Sequence, residues 1–524
     1  MRFGQTTLVD IFTATVAEFP ARPACAGLSY SQLADATDTA AAHLVTLGVK
    51  PGDRVALALP NSHFHLIAFL AVLKLGAVVV EHNPQFTAPE LEALFDLHGA
   101  RLAIAWEGCP VPGPVVRVGP GGFDWPSAAP ASAGSAATSR PSPTAPAAAP
   151  AAPPAAPPAA PPAAPPAFPP ISPDDPALIL HTSGTTGQPK GVVLTHGNLS
   201  ANAQQITAWV PGLRRGQERF LAALPMFHSY GLTMSVTVGL NIGAQLIFVA
   251  RPTAEAVVDA ITTHRPTWMP AVPTLYERVI AHARAVGADL SGIDRAISGA
   301  AALPTHLVEE WEQLTGGMLV EGYGLTESSP VLTCNPLDET RRAGGIGKPV
   351  PGTELRIANP DNLAEDAAEG ELLARGPQVF AGYLRVDPDA FYDGWLRTGD
   401  ICTQEDGYYR LVGRRKEIIK VGGFSVYPAE VENALRAHPA VAAAAVVDTG
   451  EVTACVVLDA PASEAELLEH CRARLARYKI PRRVLFFDAL AADALGKLRR
   501  NQVRADALAA LAAPAAPADL GRTR

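Results

Sequence analysis

Apolar and polar positions repeat with two different periods along most of this chain. Between about residues 30 and 106, stretches with apolar residues three and four apart (31–47, 63–75 and 89–98) alternate with short continuous apolar runs (55–59, 77–80 and 102–105). The first kind predicts helices and the second short buried strands, so their alternation predicts an α/β layer on a mostly parallel sheet. The pattern then stops. Between residues 127 and 173 almost every position is Ala, Pro, Ser or Thr, with Ala-Ala-Pro-Pro four times in succession from Ala151. Proline lacks the amide donor and favours extended polyproline II, so this tract cannot build a core and is expected to be disordered. Because the α/β pattern resumes at once, the tract reads as an insertion within one domain.

A second α/β block runs from 176 to about 350, and a β-rich stretch with turn glycines continues to about 412. A smaller mixed unit follows, with helices at 429–437 and 463–476, strands at 441–447, 452–458 and 484–487, and a last helix. The fold class expected is α/β. A large N-terminal domain of packed α/β subdomains plus a β-rich subdomain spans 1–415, a small mobile α+β domain spans 416–512, and 513–524 form a disordered tail.

Composition narrows the function. At 524 residues with 48% hydrophobic content, the chain can bury several cores. Its net charge of -9, with no long basic run, argues against a nucleic-acid partner. Six cysteines are scattered without a metal-ligand or disulfide pattern, and no secretory signal opens the chain, so a cytoplasmic protein is expected. Residues 221–250 contain no Asp, Glu, Lys or Arg. That length could cross a bilayer, but Pro225, Gly231, Gly239 and Gly243 break it, so a buried strand-loop-helix-strand is expected. No transmembrane segment is predicted; peripheral contact with a membrane stays open.

The most informative string is Thr182-Ser183-Gly184-Thr185-Thr186-Gly187-Gln188-Pro189-Lys190-Gly191, set between two apolar runs. Its glycines let backbone amides approach an anion, while hydroxyls and Lys190 add donors and charge, as a loop holding nucleotide phosphates requires. It is not the loop of P-loop NTPases, which needs Gly-Lys-Ser or Gly-Lys-Thr opening a helix. The string resembles the signature loop of the adenylate-forming enzymes, which include acyl-CoA synthetases, amino-acid adenylation domains and luciferases. Further strings in the same order carry that resemblance: Leu224 to Gly231 with His228, Ile297 to Leu303, Glu321 to Ser328, Trp395 to Asp400, Gly413 to Phe424 and Leu495 to Arg500.

The resemblance implies roles for single residues. Thr182, Ser183, Gly184, Thr185, Thr186, Gly187 and Lys190 would hold the ATP phosphates. Gly299, Ala300, Glu321, Gly322 and Tyr323 would border the adenine, with the tyrosine ring flat against it. Thr326 would donate to the α-phosphate, and Glu327, with Thr182, would hold Mg²⁺, which prefers oxygen ligands. Asp400 would accept from the ribose hydroxyls and Arg414 would bind ribose or phosphate. Lys416 would be the interdomain hinge; Lys420, Gly422 and Gly423 would face coenzyme A. His228 would meet the substrate carboxylate, and Lys497 would drive adenylation, although the usual residues before its glycine are replaced by Ala491-Ala492-Asp493-Ala494.

The activity so implied is ATP-dependent conversion of a carboxylic acid to acyl-AMP, then to a thioester with coenzyme A. Phrases such as Glu81-His82-Asn83-Pro84 and Gly376-Pro377-Gln378-Val379-Phe380 look most like bacterial long-chain fatty acid CoA ligases, so a medium- or long-chain fatty acid is expected. A dicarboxylate or aryl acid, or an acyl-AMP ligase loading a separate carrier protein, are the alternatives.

Overall fold

The computed structural model describes residues 2–125, 168–183, 189–421, 424–492 and 498–512. The tail 513–524 and residues 127–167 of the proline-rich tract lie outside them. Two mostly parallel sheets dominate. The first orders its eight strands Gly382–Tyr383, Pro189–Thr195, Pro176–Ser183, Val78–Glu81, Arg54–Ala58, Leu102–Trp106, Val115–Gly119 and Gly122–Asp124. The second has nine strands, from Lys348–Pro349 through Val331–Cys334, Met318–Gly324, Arg295–Ser298, Trp268–Ala271, Arg219–Ala222, Gln245–Phe248 and Pro23–Cys25 to Leu28–Ser29.

These sheets interleave the chain in a way the sequence blocks do not suggest. Residues 176–195, expected to open the second block, instead complete the first sheet, because Pro176–Ser183 pairs in parallel with Val78–Glu81. The strands flanking the proline-rich tract, Gly122–Asp124 and Pro176–Ser183, thus belong to one sheet. Beside the tract, Trp125 stacks on His43 with centroids 4.7 Å apart, and Phe168 lies beneath the Lys74 ammonium at 4.5 Å.

Helix His63–Lys74 is buried from His65 to Leu73, as an all-round apolar helix must be, and is capped by the Ser62 hydroxyl accepting the His65 amide. The uncharged run forms strand Arg219–Ala222, the short helix Ser229–Gly231, a π-helical turn Leu232–Thr237, helix Val238–Ile242 and strand Gln245–Phe248. The π turn was not expected; such turns recur at functional sites. Trp268 supports it from below. Its indole donates to the Met234 carbonyl at 2.8 Å and stacks on Phe220 at 4.9 Å. Among the described residues no helix is long and apolar enough to cross a membrane.

The β-rich stretch forms a six-stranded sheet in which Trp395–Glu405 pairs with Glu369–Arg375 and with Tyr408–Arg414. Glu371, 1% exposed, is held between Arg397 at 3.0 Å and Arg415 at 3.2 Å. The C-terminal unit has a three-stranded sheet, Val441–Asp448, Val452–Leu458 and Arg483–Phe486, with helices Pro428–Arg436, Glu464–Arg472 and Arg500–Ala512. The helix expected to reach 476 stops at Arg472. After it the chain passes through the 3-10 turn Arg477–Lys479 to place Arg483–Phe486 beside Val452–Leu458.

Replacing Trp268 with Ala removes a fully packed ring and its hydrogen bond. The expected destabilisation is about 3–5 kcal/mol, read as a lower midpoint in denaturant or thermal melts; an unchanged midpoint would contradict the packing described.

Candidate active site

Strand Met318–Gly324 runs beside Arg295–Ser298, with Glu321 opposite Ser298, and turns sharply at its end. A Cβ at Gly324 would sit 1.8 Å from the Pro330 carbonyl oxygen, so only glycine permits the approach. The Leu325 amide donates to that carbonyl at 3.1 Å, closing the turn around the 3-10 helix Thr326–Ser328. Before the turn, the Tyr323 hydroxyl donates to Asp400 Oδ2 at 2.6 Å. Asp400 is buried and stands opposite Arg414, whose Nε lies 3.1 Å from Oδ1. The Asp400 charge raises the Arg414 pKa; burial and then the same charge raise that of Tyr323. An aromatic face, a carboxylate and a cation are thereby fixed as one unit, suited to a base and a sugar diol.

On the other side of the turn, Thr182 stands opposite Lys190 in the hairpin of Pro176–Ser183 and Pro189–Thr195. Gly184, Thr185, Thr186 and Gly187 lie outside the described residues. Lys190 forms an ion pair with Asp387, which lowers the Asp387 pKa, and its ammonium lies 5.0 Å over the Tyr383 ring. The Tyr383 hydroxyl donates to Glu327 Oε1 at 2.7 Å. Strand Gly382–Tyr383 pairs with Val193 and Val192, and the Phe380 amide donates to the Glu327 carbonyl at 2.8 Å. Next to Thr182, His181 stacks on His82, and burial holds its pKa down to about 4, so this flank is uncharged at neutral pH.

His228 precedes helix Ser229–Gly231 in extended conformation and is half-buried, its ring 5.0 Å from Phe227. Two residues on, the Tyr230 hydroxyl donates to the Ile297 carbonyl at 2.7 Å, and its ring fills the space beside Gly299, where a Cβ would approach to 3.1 Å. Ala300 adopts φ 67°, a left-handed conformation that costs an L residue about 1 kcal/mol or more and recurs at ligand sites. Glu321 accepts the Leu303 amide at 3.3 Å, and burial pushes its carboxyl up to about 8. The Thr233 hydroxyl reaches the Ser329 carbonyl at 2.8 Å. Glu321, Gly322, Tyr323, Thr326 and Glu327 are therefore carried by one strand and its closing turn, and Tyr230, two residues beyond His228, packs against Gly299, the neighbour of Ala300.

The C-terminal strings approach the same region. Lys416 lies in the 3-10 turn Arg415–Glu417; desolvation and then the Arg414 charge lower its pKa, against the opposing charges of Glu417 and Asp400. Lys420 lies on strand Ile419–Val421; Gly422 and Gly423 fall outside the described residues. Lys497 also lies outside them. Its neighbours are placed, however: Ala492 and Leu498 form an antiparallel bridge, and Arg500 pairs with Glu417 at 2.7 Å and with Glu432. Glu90, whose pKa is lowered first by bonds to Thr87, also feels Arg499, and its helix Ala88–His98 packs beside strand Pro189–Thr195. Sequence patterns single out neither Tyr383 nor Asp387; the only available signal was their nearness to the glycine-bearing string ending at Phe380.

Residues 12–384 match the family model described as AMP-binding enzyme, and residues 430–497 match that of the AMP-binding enzyme C-terminal domain. The chain is 34% identical over 528 residues to a long-chain-fatty-acid–CoA ligase of Bacillus subtilis, covering 95% of this chain and 94% of that protein. It is also 34% identical over 497 residues to a feruloyl-CoA synthase of Amycolatopsis, covering 91% and 93%. Among solved structures, an anthranilate CoA ligase, AuaEII, in complex with anthranoyl-AMP superposes with a TM-score of 0.81 at 26% identity, covering 97% of this chain and 98% of that one.

The Glu321 carboxyl generates a pH prediction. With its pKa raised from 4.5 to about 8, the folded state holds a proton that the unfolded chain has released, so its contribution to stability is lost as pH rises from about 4.5 through 8. Thermal midpoints of Glu321→Gln measured from pH 6 to pH 9 should fall less steeply than those of the parent. Parallel curves would show that this carboxyl does not titrate there.

Proposed function

The chain belongs to the family of AMP-binding enzymes, and we propose that the acid it activates is a fatty acid of medium or long chain. It is an AMP-forming acyl-CoA synthetase: ATP and the acid give an acyl-AMP, which then passes its acyl group to the thiol of coenzyme A. The observation that carries the fatty-acid reading is the wall behind His228. Residues 221–250 bring no charge to the interior, and most of them are buried. An apolar chain gains by entering such a wall, whereas a second carboxylate would need a buried cation. The fatty-acid ligase of B. subtilis supports this choice, and the feruloyl-CoA synthase keeps an aryl acid as the second reading.

A carboxylate resists thiol attack because it is anionic and its oxygen leaves poorly; esterifying that oxygen to phosphate removes both obstacles. In our reading, His228 positions the acid, and Tyr323, Asp400 and Arg414 hold adenine and ribose. Thr182 and Lys190, with the rest of their loop, hold the outer phosphates, and Thr326 donates to the α-phosphate. Lys497 bridges the attacking carboxylate and the α-phosphate, so that positioning and charge stabilisation supply the rate. Pyrophosphate leaves.

Glu327 and the Thr182 hydroxyl would hold Mg²⁺. Among the described residues no group of three His, Cys, Asp or Glu side chains could hold a metal. One carboxylate with ATP phosphates fits magnesium, which is commonly bound in that manner. When bound, the ion neutralises and orients the phosphates. For the second step, residues 416–512 would swing about Lys416 against 1–415, bringing Lys420, Gly422 and Gly423 to the thiol. A cytoplasmic site of action is supported by six cysteines that are all free and buried.

Pyrophosphate release, measured over saturated acids of increasing length and over aryl acids, with and without coenzyme A, tests the substrate. Release should peak at medium or long chains and yield thioester when coenzyme A is present; a peak at aryl acids would transfer the assignment to the second reading. Release without thioester would mark an acyl-AMP ligase. Lys497→Ala should slow adenylation at least about 100-fold, the scale of losing one transition-state contact, while sparing thioester formation from supplied acyl-AMP. Equal loss in both steps would contradict its role.

A further inference from the structure

Lys190 and Glu327 come from different parts of the chain, 137 positions apart, yet both are assigned to the same triphosphate, one to its oxygens and one to its metal. Something must fix the distance between them. One side chain touches both. The Tyr383 ring lies beneath the Lys190 ammonium at 5.0 Å, and its hydroxyl donates to Glu327 Oε1 at 2.7 Å. Its backbone is fixed on both flanks. Tyr383 stands opposite Val192 in the first sheet, Leu384 donates its amide to the Gly191 carbonyl at 2.8 Å, and Phe380 donates to the Glu327 carbonyl. The ring is braced by Phe380, edge-on at 4.8 Å.

We propose that Tyr383 is a positioning residue for the metal-bound triphosphate, its hydroxyl orienting the Glu327 carboxylate and its ring setting where the Lys190 ammonium stands. The physical reason lies in the chemistry of each contact. A carboxylate that ligates a metal is ordinarily held by an outer hydrogen bond, and loss of such a bond typically costs 10–100-fold in metal affinity. By donating to Oε1, the phenol leaves the second carboxylate oxygen available to a metal. The ring face attracts an ammonium without adding a second negative charge to that of Asp387, so the ring itself does not oppose phosphate. Asp387, the ion-pair partner of Lys190, also anchors that lysine. Two ligands of one guest are thereby coupled through a neutral group that competes for neither. The inference rests on the assignment of Glu327 to the metal and Lys190 to phosphate.

The test uses the full-length enzyme with Mn²⁺ as a spectroscopic substitute for Mg²⁺ and a non-hydrolysable ATP analogue. Binding of Mn²⁺ is followed by electron paramagnetic resonance, beside the Mg²⁺ dependence of acid-dependent pyrophosphate release. Tyr383→Phe keeps the ring and its packing and removes only the hydroxyl. It should weaken Mn²⁺ binding about 10-fold, shift the Mg²⁺ dependence equally, and leave the KM for ATP at saturating Mg²⁺ unchanged. Tyr383→Leu, which also removes the ring, should in addition raise that KM. Thermal midpoints within a few degrees of the parent establish that each variant is folded. Parental Mn²⁺ affinity in Tyr383→Phe overturns the inference if Glu327→Gln loses the metal in the same assay. Retention of the metal by Glu327→Gln overturns the assignment of Glu327 itself.

Discussion

The turn from Glu321 to Pro330 can close only because position 324 carries no side chain. A single methyl there would collide with the Pro330 carbonyl, and the Leu325 amide could not reach its acceptor. Four features hang from this closure. Tyr323 leaves the strand aimed at Asp400, Glu321 looks back toward Leu303, Glu327 projects toward Tyr383, and Ser329 offers its carbonyl to Thr233. Ten residues thus place the groups to which we assign the base, the sugar, the metal and the acid.

The same turn explains how distant segments of sequence can serve one reaction. Lys190 arrives on the first sheet, Tyr323 on the second, and Asp400 and Arg414 on the β-rich sheet. Short polar contacts tie Lys190 to Asp387, and Tyr323 and Arg414 to Asp400. The hinge is fastened into this arrangement. Arg415 shares the buried Glu371 with Arg397, while Arg500 grips Glu417 from the C-terminal unit. The rotation we propose about Lys416 would therefore run between two anchored ends, which suits a motion between discrete positions.

Much of this was legible in the sequence. Helices such as His63–Lys74 and strands such as Arg54–Ala58 fall within a residue or so of the periodic pattern, because burial imposes the period. The strings around Glu321, Asp400 and Arg414 singled out Tyr323, Asp400 and Arg414, which the fold does bring together. What the pattern concealed depended on long-range pairing. Residues 176–195 joined the first sheet because Val78–Glu81 offered an unpaired edge, which no local period reveals. Tyr383 and Asp387 sit in a two-residue strand and its following loop, too short to carry a period, and their value comes only from what the fold sets opposite them. The π turn at Leu232–Thr237 was hidden for the same reason, since Trp268, 34 residues from Met234, shapes its surroundings.

The central claim is that the acid is activated by attack of its own oxygen on the α-phosphate in this cleft. It is tested most directly by supplying a fatty acid labelled with oxygen-18 in its carboxyl group, together with ATP, Mg²⁺ and coenzyme A, and locating the label by mass spectrometry. The account predicts one labelled oxygen in the phosphate of AMP and none in pyrophosphate. Label in inorganic phosphate, with ADP as the nucleotide product, would contradict it.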